Sequence, residues 1–129
     1  MNCMIKPVEN EDELEIFLGL AEDIFPETEL DLERDDLVFI AYYHDEAVGF
    51  MHFGENEKFF QIKGIGVLPE YRGKGIGKSL MEYGLDEIYG KPVYLRTETS
   101  NQAVNLYDRC GFFAQNFGGI SVLVKKELS

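Results

Sequence analysis

Residues Pro69 to Leu80 read PEYRGKGIGKSL. Between Arg72 and Lys78 three glycines are interleaved with three cations, in a chain of 24 acidic and 12 basic side chains with a formal net charge of -12. So local a positive cluster in an acidic protein calls for an anionic ligand. A strand that enters a glycine turn and leaves it as a helix is a general anion device. Glycines let backbone N–H groups converge, and the helix start adds partial positive charge. The nucleotide P-loop, G-x-x-x-x-G-K-[ST], would need a glycine where Arg72 stands. The dinucleotide fingerprint G-x-G-x-x-G, begun at Gly73 and Gly75, would need one at Lys78. Both fail on spacing. What remains is R-x-x-G-x-G, Arg72 to Gly77, with a tight structural turn as the alternative reading.

Working outward, Phe59 to Val67 is rich in apolar and aromatic residues and precedes the loop as a strand. Gly75 to about Tyr89 follows as a helix, with Ile76, Leu80, Tyr83, Gly84 and Ile88 on one face and Lys78, Ser79, Glu82 and Asp86 on the other. Upstream, Leu37 to Tyr43 and Val48 to Phe53 form a hairpin around HDEA, and GENEK turns the chain into the third strand of a meander. Cys3 to Val8 is a first strand. Asn10 with Glu13 starts a helix in the manner of a capping box; Leu14, Phe17, Leu18, Ala21 and Ile24 keep helical spacing, and Pro26 stops it. Glu27 to Asp36 is an acidic loop. Downstream, Val93 to Glu98 is a strand, a helix opens at Thr99 to Asn101 and stops at Gly111, and Phe112 to Ala114 and Ser121 to Lys126 close the fold as strands. The expectation is an α/β (α+β) fold: a mixed, mostly antiparallel sheet of about six to seven strands flanked by helices, with one right-handed parallel crossover in the middle.

A second pattern lies in SNQAVNLYDRCGF, Ser100 to Phe112. It matches N-x-A-x-x-L-Y-x-x-x-G-F at Asn101, Ala103, Leu106, Tyr107, Gly111 and Phe112. With R-x-x-G-x-G one helix and one strand earlier, the chain resembles the GNAT superfamily of N-acetyltransferases over essentially its whole length. The stretch between the first helix and the second strand is shorter than usual for that family.

The resemblance implies acetyl transfer from acetyl-CoA to a primary amine by direct attack on the thioester. It also implies roles for particular positions. Backbone N–H groups from Gly73 through Lys74, Gly75, Ile76 and Gly77 to Lys78 would hold the diphosphate, supplemented by the side chains of Arg72, Lys74 and Lys78; the two lysines also read as solvated surface charge. The main chain of Ile65 and Val67 would pair with the pantetheine arm as an added strand does. Asn101 is either a pantetheine contact or simply the helix cap. Tyr107 is the family's general acid, with a packed aromatic as its rival.

The base departs from the family pattern. One position that carries Glu in the family is Gln61 here, and another is Arg96; neither can accept a proton in this role. Gln61 could orient a water, and Glu98 is the carboxylate candidate, ahead of Glu55 and Glu57. His44 and His52 titrate in range, His44 reading as a turn residue, and neither is assigned a role. The missing carboxylates support a second reading, a non-catalytic CoA or acetyl-CoA sensor. The acceptor would be a small-molecule amine or a protein or peptide amine, and the acidic loop favours a polycationic one.

At 129 residues, 45% of them hydrophobic, the chain is read as one domain, residues 1–129. Its acidity argues against nucleic acid. No apolar run reaches membrane-spanning length and no export signal opens the chain, so the cytoplasm is expected, with no membrane partner. Cys3 and Cys110 lack metal-ligand companions, so no metal is expected and buried thiols are. A homodimer through the C-terminal strands is compatible with the family.

Overall fold

A computed structural model describes residues 3–98, 112–117 and 120–125. Its elements run β1 (Cys3–Pro7), α1 (Glu11–Ile24), β2 (Leu37–Tyr43), β3 (Glu46–Glu55), β4 (Phe60–Val67), a 3-10 turn (Pro69–Tyr71), α2 (Ile76–Glu87), β5 (Val93–Glu98), β6 (Phe113–Phe117) and β7 (Ile120–Lys125). One seven-stranded sheet has the order β1-β2-β3-β4-β5-β7-β6. Its ladders are antiparallel except β4 with β5. The mixed, mostly antiparallel sheet expected from the sequence is the one found. The helix expected between Thr99 and Gly111, with Asn101, Tyr107 and Cys110, lies outside the described residues.

Local chemistry sets the ends of the elements. The Asn10 side chain accepts from the Glu13 N–H at 2.9 Å, and the Glu13 carboxylate accepts from the Glu9 N–H at 2.9 Å. This reciprocal cap is offset by one residue from the usual box, and it satisfies two otherwise orphaned donors. Helix α2 stops at Glu87, two residues before the expected end. Ile88 turns to extended backbone and is buried, tucking the chain into the core ahead of Pro92. Strand β6 continues to Phe117, beyond the expected Ala114.

The β2–β3 turn is His44–Asp45, with φ of 51° and 68° and Tyr43 paired to Glu46. Both central residues are left-handed, which is the type I′ geometry that fits the twist of a hairpin. His and Asp are poorer there than Asn and Gly, so the double variant H44N/D45G should raise stability by about 1 kcal/mol, read as an upward shift in a thermal melt.

Apolar side chains cover both faces of the sheet. On one face Phe39, Met51, Phe53, Ile62 and Leu95 pack against Ile76, Leu80 and Met81 of α2. On the other, Val38, Ile40 and Phe50 pack against Phe17, Leu20 and Ala21 of α1, and the Phe17 ring meets Phe50 edge-on at 5.2 Å. Strand alternation sends neighbouring residues of β2 and β3 to opposite cores, so these strands read as continuous apolar runs.

Candidate functional site

Strand β4 is the axis of the site. Its parallel ladder with β5 holds for Phe60–Val93, Gln61–Tyr94 and Ile62–Leu95 and then ends, although β4 continues to Val67 and β5 to Glu98. Opposite that point β3 pairs His52 with Gly64 and Phe53 with Ile62, leaving Lys63 as the extra residue of a bulge. A bulge bends the strand and re-aims side chains. Two neighbouring strands therefore part company where one of them is kinked. Ile65 and Val67 lie on the parted stretch, with side chains packed against the core and no ladder partner on β5.

Beyond Val67 the chain makes the 3-10 turn and enters the glycine loop. Gly73 and Gly75 have φ of 78° and 83°, left-handed values that an L side chain adopts only with strain. Gly75 is the N-cap of α2 and gives no side-chain cap, and the first turn holds no acid. The first intrahelical bond runs from the Ser79 N–H to the Gly75 carbonyl, so donors from Ile76 to Lys78 precede the helix's own ladder. Arg72 donates from Nε to the Val67 carbonyl at 3.0 Å, fastening loop to strand. Lys74 is exposed, and Lys78 sits 3.8 Å from Glu82 with both side chains well exposed, a contact too solvated to hold the lysine in place. These features fit a diphosphate: backbone donors ahead of the helix's own ladder, a positive helix end, exposed cations and no acid in the first turn.

On the α1 side of the sheet a cavity of about 440 Å³ opens between residues 25–36 and β3–β4. Ala21, Phe25, Leu30 and Phe50 give it apolar walls, Thr28, Glu29 and Asp31 line it from the acidic segment, and His52, Gln61 and Lys63 line it from the sheet. Glu98 ends β5, paired with Ile120 of β7. Glu55 is engaged with Lys91 at 2.6 Å, Glu57 lies in the β3–β4 turn, and His44 is a turn residue. Asn101 and Tyr107 lie outside the described residues.

The sequence reading missed a buried polar cluster beside this cavity. One oxygen of Asp36, Oδ2, accepts from His52 Nε2 at 2.6 Å, from Lys63 Nζ at 3.0 Å and from the Glu33 N–H at 3.0 Å. The His52 and Asp36 side chains are each 2% exposed and Lys63 11%. Burial alone would raise the Asp36 carboxyl, but the Glu33 amide, Lys63 and His52 outweigh it and hold it below its ordinary value. Burial lowers His52, more than Asp36 raises it. Burial pulls on Lys63 too, yet the bond to Asp36 leaves it raised.

At neutral pH the cluster is therefore an ionised Asp36, a cationic Lys63 and a neutral His52 whose Nε2 carries the proton, because an ionised carboxylate only accepts. Strand parity is the signal that could have found it. His52 shares the α1 face of β3 with Phe50, and a polar residue in a buried alternation needs a partner.

A pH dependence follows. A histidine with a folded pKa below 6.5 leaves the native state with fewer bound protons than the unfolded chain. Its stabilising effect is complete above 6.5 and is lost as pH falls below it; Asp36 adds a further loss only at pH values below 3.8. Thermal melts should therefore show wild type losing more stability than H52N between pH 6.5 and about pH 5.

A mixed α+β sheet parted at β4–β5 and followed by a glycine loop at the start of α2 is an acetyltransferase-type fold. Residues 6–112 match the model of the Acetyltransferase (GNAT) family, and the chain belongs to that family. It is 39% identical over 66 residues to N-alpha-acetyltransferase RimI of Mycobacterium tuberculosis, covering 50% of this chain and 42% of that protein. It is 32% identical over 91 residues to N-alpha-acetyltransferase 50 of Danio rerio, covering 63% and 54%. The chain spans about half the length of the curated relatives it matches. Among solved structures it superposes on the PaiA N-acetyltransferase of Thermoplasma acidophilum in complex with coenzyme A with a TM-score of 0.76, at 17% identity, covering 98% of this chain and 100% of that one.

Among the described residues no helix is long and apolar enough to cross a membrane, and no group of three or more His, Cys, Asp or Glu is placed to hold a metal ion.

Proposed function

We propose that this chain is a single-domain, acetyl-CoA-dependent N-acetyltransferase whose acceptor, a primary amine, enters the cavity between residues 25–36 and β3–β4. The observation that carries this reading is the end of the β4–β5 ladder at Ile62–Leu95, on the strand that leads into an uncapped, acid-free helix start. Bound acetyl-CoA would supply the acetyl thioester. Backbone donors from Gly73 to Lys78 hold the diphosphate, with Arg72, Lys74 and Lys78 adding charge, and the main chain of Ile65 and Val67 pairs with the arm along the parted edge. Asn101 contributes a further contact to the pantetheine arm. Tyr107 protonates the departing sulfur as the new C–N bond replaces the C–S bond.

Lys63 stays protonated, and His52 is 2% exposed with burial lowering its proton affinity, so neither is assigned as base. The amine sheds its proton to a water oriented by Gln61, or to Glu98. The acceptor is an amine next to an apolar group. Phe25, Leu30 and Phe50 present hydrocarbon, while Glu29 and Asp31 suit a protonated amine. A peptide α-amine beside an apolar first side chain fits; two relatives named N-alpha-acetyltransferases support the same choice. Cys3, a half-buried free thiol raised by burial, suits a reducing cytoplasm.

Calorimetry with acetyl-CoA and a thiol-release assay over a panel of peptide α-amines, lysine peptides and polyamines test the proposal. Binding, with thiol released in the presence of the α-amines, supports it. Thermal stabilisation by CoA with no thiol released by any amine favours the sensor reading instead, which Gln61 and Arg96 in place of carboxylates motivate.

A further inference from the structure

We infer that Asp36 is a positioning residue that latches the outer wall of the amine cavity onto the sheet and thereby sets acceptor affinity. The inference rests on the acetyltransferase reading for its kinetic consequence, though not for the latch itself. Residues 25–36 carry no regular secondary structure, and their residues are largely exposed. A segment of that kind has little burial of its own to fix its shape. Yet it forms one whole side of the cavity through Phe25, Thr28, Leu30 and Asp31.

Beside the edge-on contact of Phe25 with Phe50, the polar ties that fix it converge on two groups. Asp36 Oδ2 binds His52 of β3 and Lys63 of β4 at once. The same oxygen accepts from the Glu33 N–H, while the Asp36 N–H returns to the Glu33 carbonyl at 3.2 Å, so the end of the segment is folded around this carboxylate. Lys63 reaches further along the segment, donating to the Asp31 carbonyl at 3.1 Å with the Asp31 carboxylate 3.5 Å away. The bulge that frees Lys63 from the ladder is what lets one strand residue serve both anchor points.

Such a junction is costly to break on one side, because the remaining charge stays buried without its partner. It is also placed to act on the acceptor alone. The glycine loop lies beyond the far end of β4, and no member of the junction belongs to it. Loss of the latch should leave coenzyme binding intact while the wall that recognises the amine samples open states.

The test uses full-length wild type, D36N, K63M, the double variant and K63R. Hydrogen exchange of the peptide spanning residues 25–36 and acetyl-CoA titration are combined with steady-state kinetics on a free-α-amine peptide with an apolar first residue. D36N and K63M should each speed exchange in the segment by about tenfold, with β2–β4 still protected. Each should raise the peptide KM by about tenfold with kcat and acetyl-CoA affinity held within about twofold, and the double variant should be no worse than the singles. K63R, which keeps the ion pair, should behave as wild type. Unchanged exchange in the segment, or exchange that rises equally across the whole sheet, would overturn the latch. An unchanged peptide KM despite faster exchange would overturn its role in acceptor affinity. Should wild type bind acetyl-CoA yet acetylate no amine, the enzymatic reading fails, while the exchange data still decide whether Asp36 is the latch.

Discussion

Replacing both left-handed glycines, in G73A/G75A, should weaken acetyl-CoA binding by about 30- to 1000-fold while costing little thermal stability. Alanine at φ of 78° or 83° carries roughly 1–2 kcal/mol of strain per residue, or about 2–4 kcal/mol for the pair. The free protein can shed that strain, because a Cβ at either position meets nothing within 4 Å and an exposed loop can turn its backbone elsewhere. The bound protein cannot, since the amides must return to the shape that surrounds the diphosphate. The strain then appears in the dissociation constant rather than in the melting temperature. Isothermal titration beside a melting curve separates the two. An unchanged affinity would show that the loop is an ordinary strand–helix turn. By contrast K74A and K78A remove exposed charges and should each cost only a few-fold, with an effect that fades as salt is raised.

What the sequence made legible was whatever a single local cause dictates. Asn10 and Glu13 mark the start of α1 because the cap is a contact within one turn, and the glycine loop declares itself because three glycines and three cations share seven positions. HDEA announced a hairpin, although the left-handed geometry at both His44 and Asp45 runs against their usual preferences. The polar junction was not legible for the opposite reason. Asp36 lies 16 and 27 residues from His52 and Lys63, and only the pairing of β2 with β3 and of β3 with β4, plus a bulge, brings the three together. In the sequence Asp36 is one carboxylate among many in an acidic loop, and Lys63 is one cation on a strand. The parting of β4 from β5 is equally non-local, because a hydrogen-bond ladder that stops halfway leaves no mark in composition. Gly64 and Gly66 suit irregular backbone but do not say where the pairing ends.

Fold and site meet at Gly84, where G84V should cost about 2–3 kcal/mol, lower the melting temperature by roughly 10 °C and weaken acetyl-CoA as well. A Cβ at this position would stand 2.8 Å from both Met51 Sδ and Phe53 Cε2, and Phe53 and Met51 are fully buried. The thioether can shift, but the phenyl ring is held on all sides and cannot. Valine therefore forces the helix away from the sheet, and the gain in helix propensity over glycine, about 0.5 kcal/mol, offsets only part of that. The helix that would move carries Ile76, its buried first residue, and with it the amides that follow Gly75. Lifting α2 off β3 changes the height of those donors relative to Val67, where the parted strand ends. Stability and coenzyme affinity should fall together in G84V, whereas in G73A/G75A only affinity falls. A G84V protein that melts early yet binds acetyl-CoA as wild type does would mean that the anion site is fixed by the loop alone, independently of how closely α2 packs.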